Sequence, residues 1–385
     1  MEKDEQFRVP GDRRVNRLGI FVFYDREGIA DDYISYLLDG IKSIADKIVI
    51  VVNGIINDVS LKSFYKYTDT VIIRENNGFD AGAYKDALCK YLGWDNVGKF
   101  DELLLVNDTF YGPIYPLKDI FNEMEKINTD YWGITRSPGG TLDNGYEYDT
   151  HIQSFFIVFR KGILLDNGFR EFWEEMIYPE SFLHAVILFE LECNKYLIKH
   201  GFKGTALTDL CELKYHAEEN DNPHLLFSYE MIHDANIPTI KRKSLSLTNK
   251  GFKSAIKALK YIKERNLYDV NLIEKHLMRI GKTAQVWKGI NYSKLTDFYN
   301  AHLKVYIYGA GICGKNLAEY FRYKGWSFEG FLVTNPENNS DECIPFDMAD
   351  ISDDDGIIIA VGNQEIFNEI LEIVEKRCNR NQICI

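Results

Sequence analysis

The feature that most constrains the fold is an alternation of short apolar runs with helix-length segments in the first 160 residues. Six runs are rich in β-branched and aromatic residues and have the length of strands: 18–24, 47–54, 69–74, 102–108, 130–135 and 154–160. Between the early runs, residues 32–44 and 81–92 carry apolar side chains at helical spacing. Such alternation predicts an α/β domain with a largely parallel sheet.

The remainder of the chain changes pattern twice. From residue 167 to about 300, apolar residues recur at helical spacing, which predicts a helical extension. A strand–turn–helix pattern then opens at Lys304, and strand-like runs follow at 328–335 and 356–363. We expect a small Rossmann-like α/β module there. A length of 385 residues suits two or three domains, and we place them at 1–245, 246–300 (a helical linker region) and 301–385.

Charge and composition exclude several classes of protein. The net charge of −13 argues against nucleic acid as a partner and against broad affinity for anionic membranes, although basic patches such as 241–243 occur locally. Charges interrupt the first 25 residues, and the longest apolar runs are strand-sized, so we expect a cytoplasmic protein without a transmembrane segment. The seven cysteines show no CxxC pair, which is typical of reduced thiols.

Polar residues gather where three successive strands are predicted to end. They are Asn53 after the second run, Asn77 and Asp80 after the third, and Asn107 and Asp108 after the fourth. Ligands of open α/β sheets lie beyond the carboxyl ends of the strands. Gly78 and Gly82 stand at the start of the next helix, where glycine permits close approach of a ligand. Turn and cap residues alone explain one such junction, but three in register favour a ligand site.

A second candidate site lies in the C-terminal module. The spacing Gly309-x-Gly311-x-x-Gly314 falls between a predicted strand and a predicted helix, which is the context of nucleotide-binding loops. The next strand lacks the acid that would hold a nicotinamide ribose. A nucleotide or a protein partner is therefore favoured over hydride transfer, and an NAD(P)-dependent oxidoreductase stays an alternative.

Four motifs carry a resemblance to a known family: RENNGFDAGAYKDAL (74–88), LLLVNDTFYGPIYPL (103–117), HIQSFFIVFRK (151–161) and FELECNKYLIKHGF (189–202). Their order resembles that of inverting GT-A glycosyltransferases. Over residues 16–245 the sequence more closely resembles the rhamnan synthesis F family of bacterial cell-surface polysaccharide synthesis. The resemblance implies a GT-A-like fold for residues 1–245 and a nucleotide-diphosphate sugar donor, with rhamnose as one candidate sugar. It also implies a polysaccharide or lipid-linked acceptor, which is compatible with peripheral association at the inner membrane.

The chemistry of sugar transfer from a nucleotide diphosphate assigns roles to residues at the strand ends. Asn77 and Asp80 would hydrogen-bond the donor, and Tyr84 would stack or pack beside it. Asp108 would bind a divalent cation, Mg²⁺ or Mn²⁺, that offsets the diphosphate charge. His151 would complete the metal site or contact the acceptor, although a lone histidine is more often structural. The usual motif has two acids and this one has a single acid, so a non-catalytic subunit of a polysaccharide assembly complex is a further alternative.

The catalytic base is predicted from the fourth motif. Aligning Gly201 and Phe202 with the Gly-aromatic end of the family's helix places Glu190 at the position of the catalytic acid. Glu192 lies on another face of an ideal helix, so only one of the two should enter the site. Apolar neighbours of Glu190 are expected to desolvate it and raise its pKa. Glu147 and Asp149 are the competing bases, and Gln153 and Ser154 are expected along the same cleft.

Overall fold

The computed structural model describes residues 15–142, 144–212, 222–281, 292–335 and 343–384. The chain forms two compact units, which we describe separately. The first unit comprises residues 15–30, 34–108 and 116–212, and the second comprises residues 31–33, 109–115 and the described part of 213–385. The predicted ranges 1–245, 246–300 and 301–385 each include stretches outside the described residues, whereas the run at 328–335 is described in full.

The strands occupy short segments throughout the chain. Their bounds are β1 Arg17–Phe23, β2 Lys47–Asn53, β3 Val71–Arg74, β4 Glu102–Asn107, β5 Phe110–Tyr111, β6 Tyr131–Ser137, β7 Gly140–Thr141, β8 Glu147–Tyr148, β9 His151–Ile152, β10 Phe156–Arg160, β11 Gly204–Asp209, β12 Ile240–Lys241, β13 Val305–Tyr308, β14 Phe331–Val333, β15 Cys343–Pro345, β16 Gly356–Ile359 and β17 Ile383–Cys384. All six strands predicted between residues 18 and 160 are present.

The helices include two wide π-helical segments at Asp86–Leu92 and Val186–Leu191. The α-helices are α1 Asp32–Lys42, α2 Asp58–Phe64, α3 Phe79–Lys85, α4 Trp94–Val97, α5 Leu117–Met124, α6 Lys161–Leu164, α7 Asn167–Glu175, α8 Phe182–Ala185, α9 Glu192–Lys199, α10 Pro223–Leu226, α11 Ser228–His233, α12 Phe252–Glu264, α13 Val270–Gly281, α14 Tyr292–Ala301, α15 Ile312–Lys324 and α16 Gln364–Glu375. Within the described ranges, no helix is long and apolar enough to cross a membrane.

The first unit is built on a mixed sheet in the order β11-β6-β10-β4-β1-β2-β3, with β9 paired to β6. Strands β3, β2, β1 and β4 are parallel neighbours, whereas β10 runs antiparallel to both β4 and β6. Every residue of β1 and β4 is buried, so both faces of the central sheet are covered. The prediction of an α/β fold with a largely parallel sheet is confirmed.

The helical prediction for residues 167–300 is wrong at the segment Gly204–Asp209, which forms a strand. Strand β11 lies within the stretch predicted to be helical, and it pairs in parallel with β6 at the edge of the sheet. Gly201 precedes it with a φ of +81°, which ends the preceding helix in the left-handed region that favours glycine. Strand β11 contains two threonines, so its sequence has no continuous apolar run. An edge strand can carry such polar residues because it needs less burial than a central strand.

The second unit contains helices α10–α16 and two sheets. Strands β5 and β12 form a short antiparallel pair. The other sheet has five parallel strands in the order β15-β14-β13-β16-β17. Strand β13 is central and its neighbours lie on opposite sides of it, so the chain reverses its direction of winding next to β13.

Candidate functional site

The carboxyl end of β4 is joined to the start of α3 by side-chain hydrogen bonds. Asn107 donates from Nδ2 to Oδ2 of Asp80 over 2.8 Å, and the backbone N–H of Ala81 donates to Asp80 Oδ1 over 2.9 Å. Asp108 is buried, and its Oδ2 accepts from the backbone N–H of Tyr24, just beyond β1, over 3.3 Å. Three of the residues predicted at strand ends therefore lie at one edge of the sheet.

Arg74, at the end of β3, organises the next part of this edge. Its Nη1 donates to Asn53 Oδ1 and its Nη2 donates to the carbonyl of Asn77, both over 2.5 Å. Its Nε donates to Asp86 over 2.7 Å. The predicted residues Asn53 and Asn77 are thus held together by a guanidinium group, and Asn53 also donates to the carbonyl of Phe79 over 2.9 Å.

The glycines at the start of α3 have protein neighbours rather than open space beside them. A Cβ atom on Gly82 would lie 2.2 Å from the carbonyl oxygen of Asn77 and 3.0 Å from Cδ1 of Tyr178. Gly78 has a φ of +78°, and a Cβ there would lie 3.0 Å from both Tyr178 and Pro179. Close packing of the chain therefore explains both glycines, and their predicted role in ligand approach stays a prediction.

This packing makes a stability prediction. Gly82→Ala should destabilise the protein by about 1–3 kcal/mol, because the new methyl group meets a backbone carbonyl that cannot rotate away. Gly162→Ala, in α6, is the matched control: no atom lies within 4 Å of its added Cβ, so we expect a neutral or slightly positive effect. Urea denaturation measures both changes. Equal stabilities of the two variants would contradict the packing account.

Glu190 lies at the centre of a second cluster in the same unit. Its Oε2 accepts from the backbone N–H of Ser154 over 2.7 Å and from the Ser154 hydroxyl over 2.6 Å. Its Oε1 lies 3.2 Å from Nε2 of His151, and the other ring nitrogen of His151 lies 3.1 Å from the carbonyl of Asp149. Both carboxylate oxygens are therefore held in place.

The backbone around Glu190 is fixed by Asn194 and by the π-helical turn. Asn194 Nδ2 donates to the carbonyls of Glu190 (2.7 Å) and Ile152 (3.0 Å), and its Oδ1 accepts from the N–H of Ile152. These bonds lock strand β9 to the helix. Glu190 lies in the π-helix Val186–Leu191, and single π turns are frequent at functional sites.

The expected rise in the pKa of Glu190 is wrong. Burial disfavours the charged carboxylate, but the hydrogen bonds from His151 and Ser154 and the imidazolium charge outweigh it and lower the pKa of Glu190 to about 2. For His151, burial likewise opposes the charged ring, yet the partner Glu190 raises its pKa. Apolar sequence neighbours did not reveal these partners, which come from β9 and the loop after it.

The two clusters are close enough to interact. Burial raises the pKa of Asp80, the bonds from Asn107 and Ala81 oppose this, and the charge of Glu190 adds to the rise. Tyr84 is fully buried, its ring lies 5.6 Å from that of Phe189, and the charges of Asp80 and Asp108 help burial raise its pKa. Tyr84 thus packs beneath a site that contains three carboxylates.

The pair of His151 and Glu190 predicts how stability depends on pH. The raised pKa of His151 means that its contribution is complete below the unfolded value of 6.5 and is lost as the pH rises through the folded value. The lowered pKa of Glu190 means that its contribution is present above 4.5 and is lost as the pH falls toward about 2. Both contributions are complete between these two unfolded values.

His151→Gln should therefore lower the free energy of unfolding more at a pH between 4.5 and 6.5 than in alkaline solution. Denaturation of the wild type and the variant at the two pH values measures this difference. Glu190→Gln is the control. It breaks the same ion pair by changing the carboxylate instead of the imidazole, so the free energy of unfolding of this variant should lose the same dependence on pH. A destabilisation by His151→Gln that grows as the pH rises would show that the imidazole is not charged in the fold.

Two clefts border these clusters. The larger, of about 710 Å³, is lined by the β7–β8 hairpin, His151 and helix α9, and it includes the exposed residues Glu147 and Asp149. The smaller, of about 510 Å³, is lined by Arg74, Asn77, Gly78, Lys90 and Tyr178, among others.

Glu192 points away from Glu190, to Tyr146 and Lys195, as predicted from helical geometry.

The predicted metal ligands differ in how well they suit an ion. Asp108 offers one carboxylate, which is a sufficient protein contribution for Mg²⁺ when phosphate oxygens complete the shell. Both ring nitrogens of His151 already face acceptors, so an ion there would have to displace one of them. Over the described parts of the chain, no group of three or more His, Cys, Asp or Glu side chains is arranged to hold a metal. A metal at Asp108 stays a prediction.

The glycines of the C-terminal motif belong to the second unit. Gly309 follows β13 with a φ of +111°, and a Cβ on Gly314 would lie 1.8 Å from the Gly309 carbonyl, so both are required by the turn into α15. Gly311 has open space where its Cβ would lie. Nucleotide binding by this loop stays a prediction.

Sequence reasoning missed Arg74 and Asn194. Arg74 lies in the first of the four motifs, but nothing in the sequence indicates that one arginine bonds to residues 53, 77 and 86. Asn194 lies in a helical pattern where a polar residue is usually exposed, yet it is buried.

Gln153 accepts a hydrogen bond from Thr135 over 2.6 Å and so stabilises the neighbouring strands.

The fold and site define a mixed α/β protein in which ionisable side chains collect beyond the strand ends of one unit. The family description "Rhamnan synthesis protein F" matches residues 48–305, which is more than half of the chain. The chain belongs to this family, as the four motifs predicted. A curated relative, the uncharacterized protein y4gN of Sinorhizobium fredii, is 21% identical over 185 residues. That match spans 48% of this chain and 46% of the relative's length.

The solved structures with partial similarity include synthases and a cytidylyltransferase. A 4-diphosphocytidyl-2C-methyl-D-erythritol synthase from Anaerococcus prevotii is 14% identical with a TM-score of 0.33, covering 54% of this chain and 95% of its own. A cytidylyltransferase from Leptospira borgpetersenii is 12% identical with a TM-score of 0.28, covering 54% and 78%.

Proposed function

We propose that the protein is a glycosyltransferase that moves a sugar from a nucleotide-diphosphate donor to a polysaccharide or lipid-linked acceptor, with inversion at the anomeric carbon. The observation that carries the proposal is the position of Glu190. Its carboxylate is oriented by three hydrogen bonds, its pKa is lowered to about 2, and its charge adds to the rise in the pKa of Asp80. Membership of a rhamnan synthesis family supports a polysaccharide product and rhamnose as a candidate sugar.

The reaction requires one base and no enzyme nucleophile. The acceptor oxygen forms a bond to the anomeric carbon while the bond from that carbon to the diphosphate oxygen breaks. The proton of the acceptor hydroxyl passes to Glu190, and the bonding electrons leave with the nucleoside diphosphate. The hydroxyl proton becomes acidic as its oxygen bonds to the electron-poor anomeric carbon, so it would pass to the weakly basic carboxylate of Glu190 late in the step. The hydrogen bonds from Ser154 keep the carboxylate aimed while the acceptor binds.

Asp108 is proposed to help neutralise the diphosphate leaving group. A divalent cation bound by this carboxylate would offset the negative charge that develops on the diphosphate. Asn107 and Asp80 would contact the donor from the same edge, because their hydrogen bond fixes both side chains beside Asp108. The larger cleft suits the acceptor, since His151 lines it and contacts Glu190 directly. Tyr146 and Tyr148 in this cleft offer the aromatic surface on which sugar rings pack.

Thermal-shift measurements test whether a donor binds. The panel consists of UDP-, GDP- and dTDP-sugars, the free nucleoside diphosphates and NAD(P), each with and without Mn²⁺. A ligand at about 100 times its Kd stabilises the native state by about 2.7 kcal/mol, so a nucleotide sugar should raise the Tm measurably. Asp80→Ala should abolish that rise; because it also removes the acceptor of the bonds from Asn107 and Ala81, the rise is measured relative to the Tm of the free variant. Stabilisation by NAD(P) alone would favour the oxidoreductase instead.

A further inference from the structure

Helix α12 of the second unit presents a lysine face in a chain whose net charge is −13. Lys253, Lys257, Lys260 and Lys263 are all exposed, and the apolar residues between them are buried. Their spacing of four, three and three residues places them within an arc of roughly 120° on the helix surface. Arg265 extends this surface at the end of the helix. We call these five residues the basic face.

Neighbouring acids neutralise little of the basic face. Lys253 Nζ lies 3.6 Å from Glu319, which is also bonded to Arg322, and Lys260 Nζ lies 3.9 Å from Glu264. These two lysine side chains are 77% and 69% exposed, so their ion pairs are weak and screened by solvent. Glu230, on the neighbouring helix α11, accepts a hydrogen bond from the hydroxyl of Ser254 on α12.

Aromatic rings support two of the cations. Lys257 Nζ lies 3.6 Å from the ring centroid of Tyr229, and Arg265 Cζ lies 4.8 Å from that of Tyr261. The two tyrosine rings meet edge to face with centroids 5.8 Å apart, and both are partly exposed. Cation–π contacts hold the charges at the surface without neutralising them. Tyrosine rings are amphipathic and are enriched at the head-group level of membrane proteins.

We propose that the basic face docks the protein onto a bilayer rich in anionic phospholipids. The apolar residues of α12 are committed to the core of the unit, so the helix lies against the head groups and does not insert. Each lysine near such a surface contributes about a fivefold gain in affinity. The Debye length is about 10 Å at 0.1 M salt, so acidic groups farther from the bilayer oppose this attraction only weakly. The proposal does not depend on the glycosyltransferase activity.

Vesicle co-sedimentation tests the proposal with a charge-matched pair of variants. The probe is phosphatidylcholine vesicles with about 30 mol % phosphatidylglycerol at ~0.05 M salt. The variant K253Q/K260Q/K263Q removes three charges from the basic face and leaves the stacked Lys257. The control K62Q/K118Q/K126Q removes three exposed lysines from the first unit and gives the same net charge. Circular dichroism and Tm confirm that both variants fold.

The wild type and the control should bind the anionic vesicles, and the basic-face variant should bind roughly 100-fold more weakly. Raising the salt to ~0.5 M should release the wild type, and neutral vesicles should not bind it. Failure of the wild type to bind, equal losses in both variants, or equal binding to neutral vesicles would each overturn the proposal. Binding to a soluble polyanion such as heparin but not to vesicles would also overturn it, in favour of a polyanionic partner.

Discussion

Replacing Glu190 with glutamine should lower turnover by about 10²–10⁴-fold while the affinity for the donor stays unchanged. Glutamine has the same size and can still accept the hydrogen bonds from Ser154, so the local structure should survive. It cannot take the proton of the acceptor hydroxyl. Steady-state kinetics with a donor found by thermal shift measure turnover, and calorimetry measures donor affinity.

Glu192→Gln is the matched control for this experiment. Glu192 is only two residues away, but it contacts Tyr146 and Lys195 and is partly exposed. We expect its turnover to stay within a few-fold of the wild type, because it is not held near Asp80. If the two variants behave alike, or if Glu190→Gln keeps full turnover, the base lies elsewhere. Glu147 and Asp149, at the rim of the larger cleft, would then be the residues to replace.

Asp108→Asn should also lower transfer, by about 10²–10³-fold. The substitution preserves shape and the ability to accept from the backbone of Tyr24, but it removes the charge that would hold a cation against the diphosphate. Asp95→Asn, at an exposed position on α4, removes the same charge without touching the site and should leave transfer unchanged.

Metal dependence separates two explanations of that result. If Asp108 holds a cation, EDTA should lower the wild-type rate to about the level of Asp108→Asn, and added Mg²⁺ or Mn²⁺ should restore only the wild type. Transfer that survives both EDTA and the substitution would show that no metal acts at Asp108. The leaving diphosphate would then have to be neutralised by cationic side chains such as Arg74 or Lys90 in the smaller cleft.

The sequence predicted the sheet of the first unit well because its strands are long, apolar and central. Strands β1 and β4 are buried along their whole length, and such strands keep a continuous apolar run. Strand β11 was missed for the opposite reason: it lies at the sheet edge and is polar and only partly buried. The two π-helices were not predicted either, because the apolar spacing was matched only to the 3.6-residue period of an α-helix.

The sequence predicted which polar side chains lie at the strand ends, but not the partners of those side chains. Asp80, Asn107 and Asp108 follow strand ends, and parallel strands bring such ends together, so their proximity follows from the topology. The contact of Glu190 with His151 and Ser154 joins residues 36–39 positions apart, and helical spacing carries no information about it. The pKa of Glu190 was misjudged for the same reason, because hydrogen-bond donors from β9 and beyond outweigh burial.

The central claim is that the protein transfers a sugar from a nucleotide diphosphate with Glu190 as the base. The most direct test is NMR of a reaction containing the donor that raises the Tm and a saccharide acceptor. The account predicts release of nucleoside diphosphate in step with a glycoside of inverted anomeric configuration, and a rate that falls by at least about 10²-fold in Glu190→Gln. Retained configuration, or no nucleoside diphosphate from any donor that binds, would contradict it.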